Sequence, residues 1–240
     1  MGLRFEEIDW RPTPKGTISL RRRWDPALEA DVFEVKLDDE YLMSTAFTVA
    51  EIAVAQLALA ELASESIDVC VGGLGLGYTA QAVLDDPRVR SLVVVDALAP
   101  VIEWHEAGLV PVSVSRTSDA RCRLVLGDFF AMTREDVGYD PDEPARKFDA
   151  IVVDIDHSPR HVLHPQNVDF YEVGGLRRIA DRLRPGGVFS LWSNDPPDEP
   201  YLADLRRVFV DVRAEVVAFD NPLQDRPATN TVYLARRAGT

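Results

Sequence analysis

Basic residues are scarce in this chain. Its 26 Lys and Arg stand against 40 Asp and Glu, a net charge of −14 at pH 7, whereas a nucleic-acid binder would show a basic excess or patch. Cysteine is nearly absent. Only Cys70 and Cys122 occur; both sit in apolar runs and read as buried thiols of a reducing compartment, not a disulfide framework. No run of 18 uninterrupted apolar residues exists, so no membrane span is expected. Residues 1–10 carry three acids and no apolar stretch, so no signal peptide is read there. A GxSxG nucleophile elbow and a Cys/His pair are also missing, which argues against nucleophilic hydrolysis. Repeats and low-complexity segments are lacking too. What remains is the profile of a cytoplasmic enzyme with no nucleic-acid or membrane partner, and an acidic surface compatible with a cationic substrate.

Against this background residues 67–79, IDVCVGGLGLGYT, stand out. Ile67, Val69 and Val71 read as a buried strand. Gly72, Gly73, Gly75 and Gly77 follow, and residues 78–84 have helical composition. A strand, a glycine turn and a helix bring backbone N–H groups to one point, with glycines there to let a ligand approach the backbone. The next apolar strand, SLVVVD, ends in Asp96, about 20 residues past the last glycine, where nucleotide-binding units place the acid that takes a ribose diol. The dinucleotide pattern GxGxxG is not met, because Tyr78 stands at the third glycine position. The spacing is GxGxG, commoner in S-adenosylmethionine sites.

Around this unit the chain alternates strands and helices from residue 48 on, which predicts a doubly wound α/β sheet. Residues 5–10, 17–22 and 32–42 alternate apolar and polar residues instead, with a turn at Pro12-Thr13-Pro14-Lys15-Gly16, and predict a small antiparallel appendage. The expected division is 1–47 for the appendage and 48–240 for the Rossmann-like domain. The run Arg21-Arg22-Arg23 reads as a solvated strand edge. Thr48 and Glu51 form an expected capping box for an apolar helix over 48–63. Further strands are expected at 121–126, 148–154 and 188–192, with a helix over 170–183 and a closing hairpin from 214–219 and 231–235. Ligands bind at the carboxyl ends of such strands, where the glycine turn, Asp96, Asp128, Asp154 and Asn194 fall. Asp128 accepting from an adenine amine with Phe129 packed on the base is one reading; Asp128 capping the next turn, with the phenylalanines in the core, is the other. Trp192 reads as core or pocket wall.

The ordered set GGLGLG, VVVD, LGDFF, FDAIVVD, DFYE and LRPGGVFSLW, with VKLDDEYLMS before it, resembles the spermidine synthase-like branch of the class I S-adenosylmethionine-dependent methyltransferase superfamily. The resemblance covers most of the chain. It implies a seven-stranded sheet, a nucleoside-sulfonium cofactor, a small-molecule acceptor and a homodimer. It also implies that Gly72–Gly77 hold the cofactor tail, Asp96 its ribose and Asp128 its adenine. Asp154 would be the carboxylate of the catalytic pocket, and Tyr171 would line it.

Three departures bear on the reaction. The family's GGGDGG loop carries an aspartate for the donor ammonium, and Gly75 stands at that position. Of the Tyr-His-Glu set before the first helix only Glu51 remains. The DSSDP motif is DIDHSP here, which brings in Asp156 and His157. An ammonium in a buried pocket needs a carboxylate, so the expected cofactor is S-adenosylmethionine and the expected reaction methyl transfer to an amine or hydroxyl. Aminopropyl transfer from decarboxylated S-adenosylmethionine, as in spermidine synthase, is the alternative. Asp154 is the expected base, with His157 and Asp156 beside it, and Glu51, Tyr171, Trp192 and Asn194 on the acceptor. Two metal arrangements are less favoured, and no protein-bound metal is expected. His157, His161 and His164 beside Asp154 and Asp156 fit no standard zinc spacing. A Mg²⁺ on Asp154 or Asp156 with Asn194 and Asp195 would suit a magnesium-dependent O-methyltransferase. A catalytically silent nucleoside-binding homologue is the remaining option.

Overall fold

The computed structural model describes residues 5–115, 118–222 and 226–239; residues 1–4 and 240 of the expected appendage and domain lie outside them. Four strands, β1 (Phe5–Thr13), β2 (Gly16–Asp25), β3 (Ala30–Leu37) and β4 (Glu40–Ser44), form an antiparallel sheet in the order β1-β2-β3-β4. The expected single run over 32–42 is broken at Asp38, which adopts φ +52°. Its backbone N–H donates to Thr17 O at 2.7 Å and its carboxylate accepts from Thr17 N–H at 2.7 Å. Asp tolerates the left-handed region better than most residues, so two extended segments meet there in a tight hairpin. Arg21, Arg22 and Arg23 lie on β2, an inner strand and not an edge; Arg22 pairs with Glu6, and Arg23 with Asp25 and Glu34.

The second sheet is built from β5 (Ile67–Gly72), β6 (Val89–Asp96), β7 (Cys122–Leu126), β8 (Phe148–Val153), β9 (Leu183–Ser193), β10 (Val210–Phe219) and β11 (Ala228–Arg236), in the order β10-β11-β9-β8-β5-β6-β7. The five strands β5 to β9 are parallel, and β11 runs antiparallel to both β9 and β10. This is an α/β, Rossmann-like methyltransferase sheet with a separate four-stranded N-terminal sheet. Strand β5 is buried at every residue, as a central parallel strand covered on both faces must be, hence its apolar composition apart from Asp68 at its start. The order reverses at β5, with β6 on one side and β8 on the other, and a crevice opens at the carboxyl ends there.

Helices α1 (Val49–Ala60), α2 (Tyr78–Leu84) and α3 (Ala99–Glu106) cover one face. Helices α4 (Phe129–Glu135), α5 (Val168–Tyr171), α6 (Val173–Arg182) and α7 (Glu199–Arg206) belong to the other. Among the described residues no helix is long and apolar enough to cross a membrane. The expected helix over 170–183 is split by Glu172, which is extended, and Gly175 packs so tightly that a Cβ would lie 2.3 Å from Phe170 O. The expected capping box at Thr48 is not made, since Thr48 forms no side-chain cap; the Glu51 carboxyl faces the cavity described below.

The N-terminal sheet lies across the carboxyl ends of the larger one. Lys15, in the β1–β2 turn, meets Asp128 at 2.7 Å, and Glu40, at the start of β4, meets His157 at 3.0 Å. Trp104 of α3 donates to Asp9 at 2.6 Å, and Arg11 donates to Glu103 at 2.6 Å. At the opposite edge, Asp68 is 1% exposed and accepts from Arg90, Arg146, Arg184 and Ser91. Burial raises its pKa, but these donors outweigh it and hold the carboxyl well below the usual range.

Candidate active site

Between the two sheets lies a cavity of about 500 Å³. Its floor is the row of strand ends β7, β6, β5, β8 and β9. At the centre is the glycine turn. Gly72 O accepts from Asp154 N–H and Gly73 N–H donates to Val95 O, each at 2.9 Å, which joins the turn to β8 and β6. Gly73 has φ +94°, and a Cβ there would sit 2.1 Å from Asp154 O. Gly75 has φ +47°, and its Cβ would sit 2.3 Å from Met43 Sδ. A side chain at either position would meet the protein itself, so the glycines are required by the turn's own packing. Gly73 and Gly75 line the cavity. Gly72 and Gly77 do not; Gly72 packs under the Phe129 ring and Gly77 caps α2 beside His105.

His105 braces this turn from α3. Its Nδ1 accepts from Val114 N–H at 3.0 Å, which leaves the ring proton on Nε2, facing Gly75 O at 2.9 Å. Burial pushes the pKa of this histidine down, against the pull of the Gly75 carbonyl, and the neutral ring is the form that satisfies both bonds.

Asp96 ends β6 as expected and lines the cavity. Its Oδ2 accepts from Leu74 N–H at 2.9 Å and its Oδ1 from Leu98 N–H at 2.8 Å. Burial raises its pKa and these amides offset part of the rise. Each oxygen keeps acceptor capacity for a ligand hydroxyl. Asp128 is occupied to the same degree: its Oδ1 caps α4 through Ala131 N–H at 3.0 Å and its Oδ2 holds Lys15, so an adenine amine would share this carboxylate with the helix cap and Lys15. Burial raises the Asp128 pKa, and Lys15 with the cap brings it below the usual value. Phe129 reaches the cavity wall, but it is 2% exposed and its ring is stacked on Tyr139 at 4.5 Å, which makes it core first.

Beyond the glycine turn two carboxyls line the same cavity, Glu51 from α1 and Asp154 from the end of β8. The Thr79 hydroxyl lies 2.7 Å from Asp154 Oδ2 and 3.0 Å from Glu51 O. Burial and then the Asp154 charge push the Glu51 pKa up; burial pushes Asp154 up, with Thr79 pulling the other way. Neither carboxyl is paired with a protein cation among the described residues. Two facing carboxyls in a low-dielectric cavity resist double ionisation unless a cation joins them.

The remaining candidates divide. Trp192 lines the cavity, and so does His157 near the rim, held by Glu40. Asp156, Tyr171 and Asn194 do not. Asp156 is 1% exposed and accepts from Leu163 N–H at 2.7 Å, Asn167 Nδ2 at 3.0 Å and Tyr171 OH at 2.9 Å. It pins the segment after β8 instead of meeting a substrate, and Tyr171 is its partner, not a pocket wall. Asn194 faces Asn230 at 3.1 Å. The metal arrangements are not assembled either: His157 pairs with Glu40, His161 with Asp195, and His164 caps the short turn Pro165–Asn167. Residues not anticipated from the sequence are Met43, Lys15, Thr79 and His105, and all four act through contacts distant in sequence.

No family model matches the chain. Solved structures share its fold. A spermidine synthase from Thermotoga maritima is 18% identical, with TM-score 0.71 over 98% of this chain and 73% of that one. A spermidine synthase in complex with the transition-state analogue AdoDATO is 18% identical, with TM-score 0.73 over 98% and 74%. A probable spermidine synthase from Corynebacterium glutamicum ATCC 13032 is 18% identical, with TM-score 0.64 over 96% and 79%. The chain therefore has the class I methyltransferase-type architecture. More narrowly, its fold is similar to that of the spermidine synthases over nearly the whole chain.

Proposed function

We propose that this protein is a transferase of the spermidine synthase kind, moving an aminopropyl group from decarboxylated S-adenosylmethionine to a small amine. The observation that carries the reading is the Glu51–Asp154 pair: two raised carboxyls at the centre of the cavity with no protein cation beside them. Such a pair suits positively charged reactants. The fold likeness to spermidine synthases, one of them in complex with AdoDATO, favours aminopropyl over the methyl transfer expected from Gly75, the missing Tyr-His pair and the DIDHSP motif.

The donor supplies a carbon bonded to a positively charged sulfur. In this reading Asp96 takes the ribose hydroxyls, and Leu98 and Val101 of the cavity wall pack the nucleoside. Glu51 and Asp154 hold the donor ammonium and the acceptor amine. The acceptor nitrogen attacks the carbon, the carbon–sulfur bond breaks with its electron pair going to sulfur, and a neutral thioether leaves. Asp154 takes the proton released from nitrogen and passes it to solvent. The chain's main task is alignment in a cavity roofed by the N-terminal sheet.

Methyl transfer from intact S-adenosylmethionine is the second reading, favoured by one observation. Met43 fills the space beside Gly75, so the glycine turn itself supplies no carboxylate for a donor ammonium. Calorimetry with both sulfonium compounds, followed by product analysis with an amine, separates the two. Tighter binding of the decarboxylated compound with methylthioadenosine formed is the expected result. Preference for the intact compound with S-adenosylhomocysteine formed replaces it by the second reading, and binding of neither removes both.

A further inference from the structure

We infer that the acceptor end of this cavity selects an amine carrying a single ammonium on an apolar body and disfavours diamines; the inference rests on the amine-transferase reading above. Its basis is where charge lies along the row of strand ends. The row carries Asp128 after β7, Asp96 on β6, Gly73 after β5, Asp154 after β8 and Trp192 on β9. Adjacent strands stand about 4.8 Å apart, so the cavity is a long slot with two distinct ends. The end at β6 and β7 holds the acids suited to a nucleoside. The other end begins at Asp154 and runs toward β9.

That second end is mainly apolar, with the His157–Glu40 pair at its rim. The β3–β4 turn roofs it, because Glu40, at the start of β4, reaches His157, which follows β8. Leu37 and Leu42 flank the turn and line the cavity, with Met43 fixed against the glycine turn through Leu76 N–H at 3.0 Å. Trp192 supplies the wall on β9. Its Nε1 is a buried donor without a partner, so it offers nothing to a second ammonium except the weaker attraction of the ring face.

The acids lining the cavity are Glu51, Asp96, Asp128 and Asp154. Lys15 already neutralises Asp128, and Asp96 lies on the nucleoside side of the turn. Glu51 and Asp154 remain, with at most two negative charges between them. A donor bringing a sulfonium and an ammonium matches those two charges. An acceptor amine that enters and gives up one proton can be accommodated. A second ammonium four or five carbons further on would lie against Leu37, Leu42 and Trp192 with no lining carboxylate left for it, and an unpaired buried charge is strongly disfavoured. An alkyl chain or an aromatic ring suits the same surface.

The test is a comparison of kcat/KM for n-pentylamine, benzylamine, 1,4-diaminobutane and 1,5-diaminopentane at one donor concentration, read by thioether nucleoside release. The expected result is a preference of about tenfold or more for n-pentylamine over 1,5-diaminopentane. Leu42→Asp, at a partly exposed position, adds a carboxylate to the acceptor end and is expected to reverse that order. A wild-type preference for either diamine overturns this inference and leaves the transferase reading standing. If no amine is consumed and calorimetry detects no donor binding, the transferase reading fails and this inference with it. Should Leu42→Asp not fold, the wild-type order alone decides.

Discussion

The Thr79 hydroxyl stands 2.7 Å from Asp154 Oδ2. A hydroxyl has one proton to give, and Glu51 O competes for it at 3.0 Å. Thr79 gives it to Asp154 Oδ2 at the shorter distance, so this bond favours the ionised carboxyl while burial favours the protonated one, and burial outweighs it. The proposed chemistry follows from that, and so do several measurable consequences.

Replacing the base while keeping its shape isolates its role. Asp154→Asn is expected to lower the rate by about 10²–10⁴, with a smaller effect on nucleoside affinity, measured with the neutral thioether product. An unchanged rate, with His157→Ala inactive, would move the base to the rim histidine.

The pH dependence has a definite sign. As a base Asp154 must be ionised, and its pKa is raised by burial. The rate is therefore expected to fall on acidification at a pH well above the ordinary aspartate value of about 3.9. Because the Thr79 hydrogen bond pulls that pKa down, Thr79→Val should shift the acid limb of the profile upward. A profile identical to wild type contradicts the coupling.

The same pair sets a stability trend in the ligand-free protein. A carboxyl whose folded pKa is raised contributes stability that is fully present below its unfolded pKa and is lost as pH rises through the folded one. Glu51, raised by burial and by Asp154, should make the protein less stable at pH 8 than at pH 5. Glu51→Gln should raise the melting temperature at pH 8 and leave it nearly unchanged at pH 5. Calorimetric scans at both values check this.

Asp68 makes the opposite case. Its depressed pKa means that its contribution is present above the unfolded carboxylate value and lost on strong acidification. Asp68→Asn removes the charge that Arg90, Arg146 and Arg184 share, while Arg146 keeps Asp140 and Arg184 keeps Asp149. The expected cost is about 3 kcal/mol, the low end for a broken buried pair, because two of the three arginines keep a partner and Arg90 is exposed. Denaturant unfolding measures it, and nucleoside affinity should not change.

The two glycines should respond differently to a methyl group. At Gly73 the obstacle is the Asp154 backbone carbonyl, which cannot move aside; at Gly75 it is the flexible end of Met43. Gly73→Ala is expected to abolish nucleoside binding. Gly75→Ala should be milder, at about 1–3 kcal/mol of stability, and partly restored by Met43→Ala in a double-mutant cycle.

Local geometry explains which parts of this arrangement were legible in the sequence. The glycine turn and Asp96 could be read because a strand, a turn of positive φ and a strand-end acid are all written in contiguous residues. Asp154 is legible as a strand-end acid, while its catalytic role and the place of Glu51 in the site come from the family resemblance. Asp156 and Tyr171 are expected in the pocket from the family's motifs, DIDHSP and DFYE, but the segment after β8 folds back and joins them to each other. The Thr48–Glu51 pattern matched a capping box, yet the Glu51 carboxyl turns to the cavity. Met43, Lys15 and His105 left no local signal, because their partners Gly75 and Asp128 are 30 or more residues away.

Proton release on binding is the most direct test of a cation held between Glu51 and Asp154. Titrating decarboxylated S-adenosylmethionine into the protein near pH 7, in buffers of different ionisation enthalpy, measures it. The account predicts net proton release in the wild type that disappears in Glu51→Gln and Asp154→Asn. Binding of the same compound with no proton released, or with equal release in both variants, would contradict it.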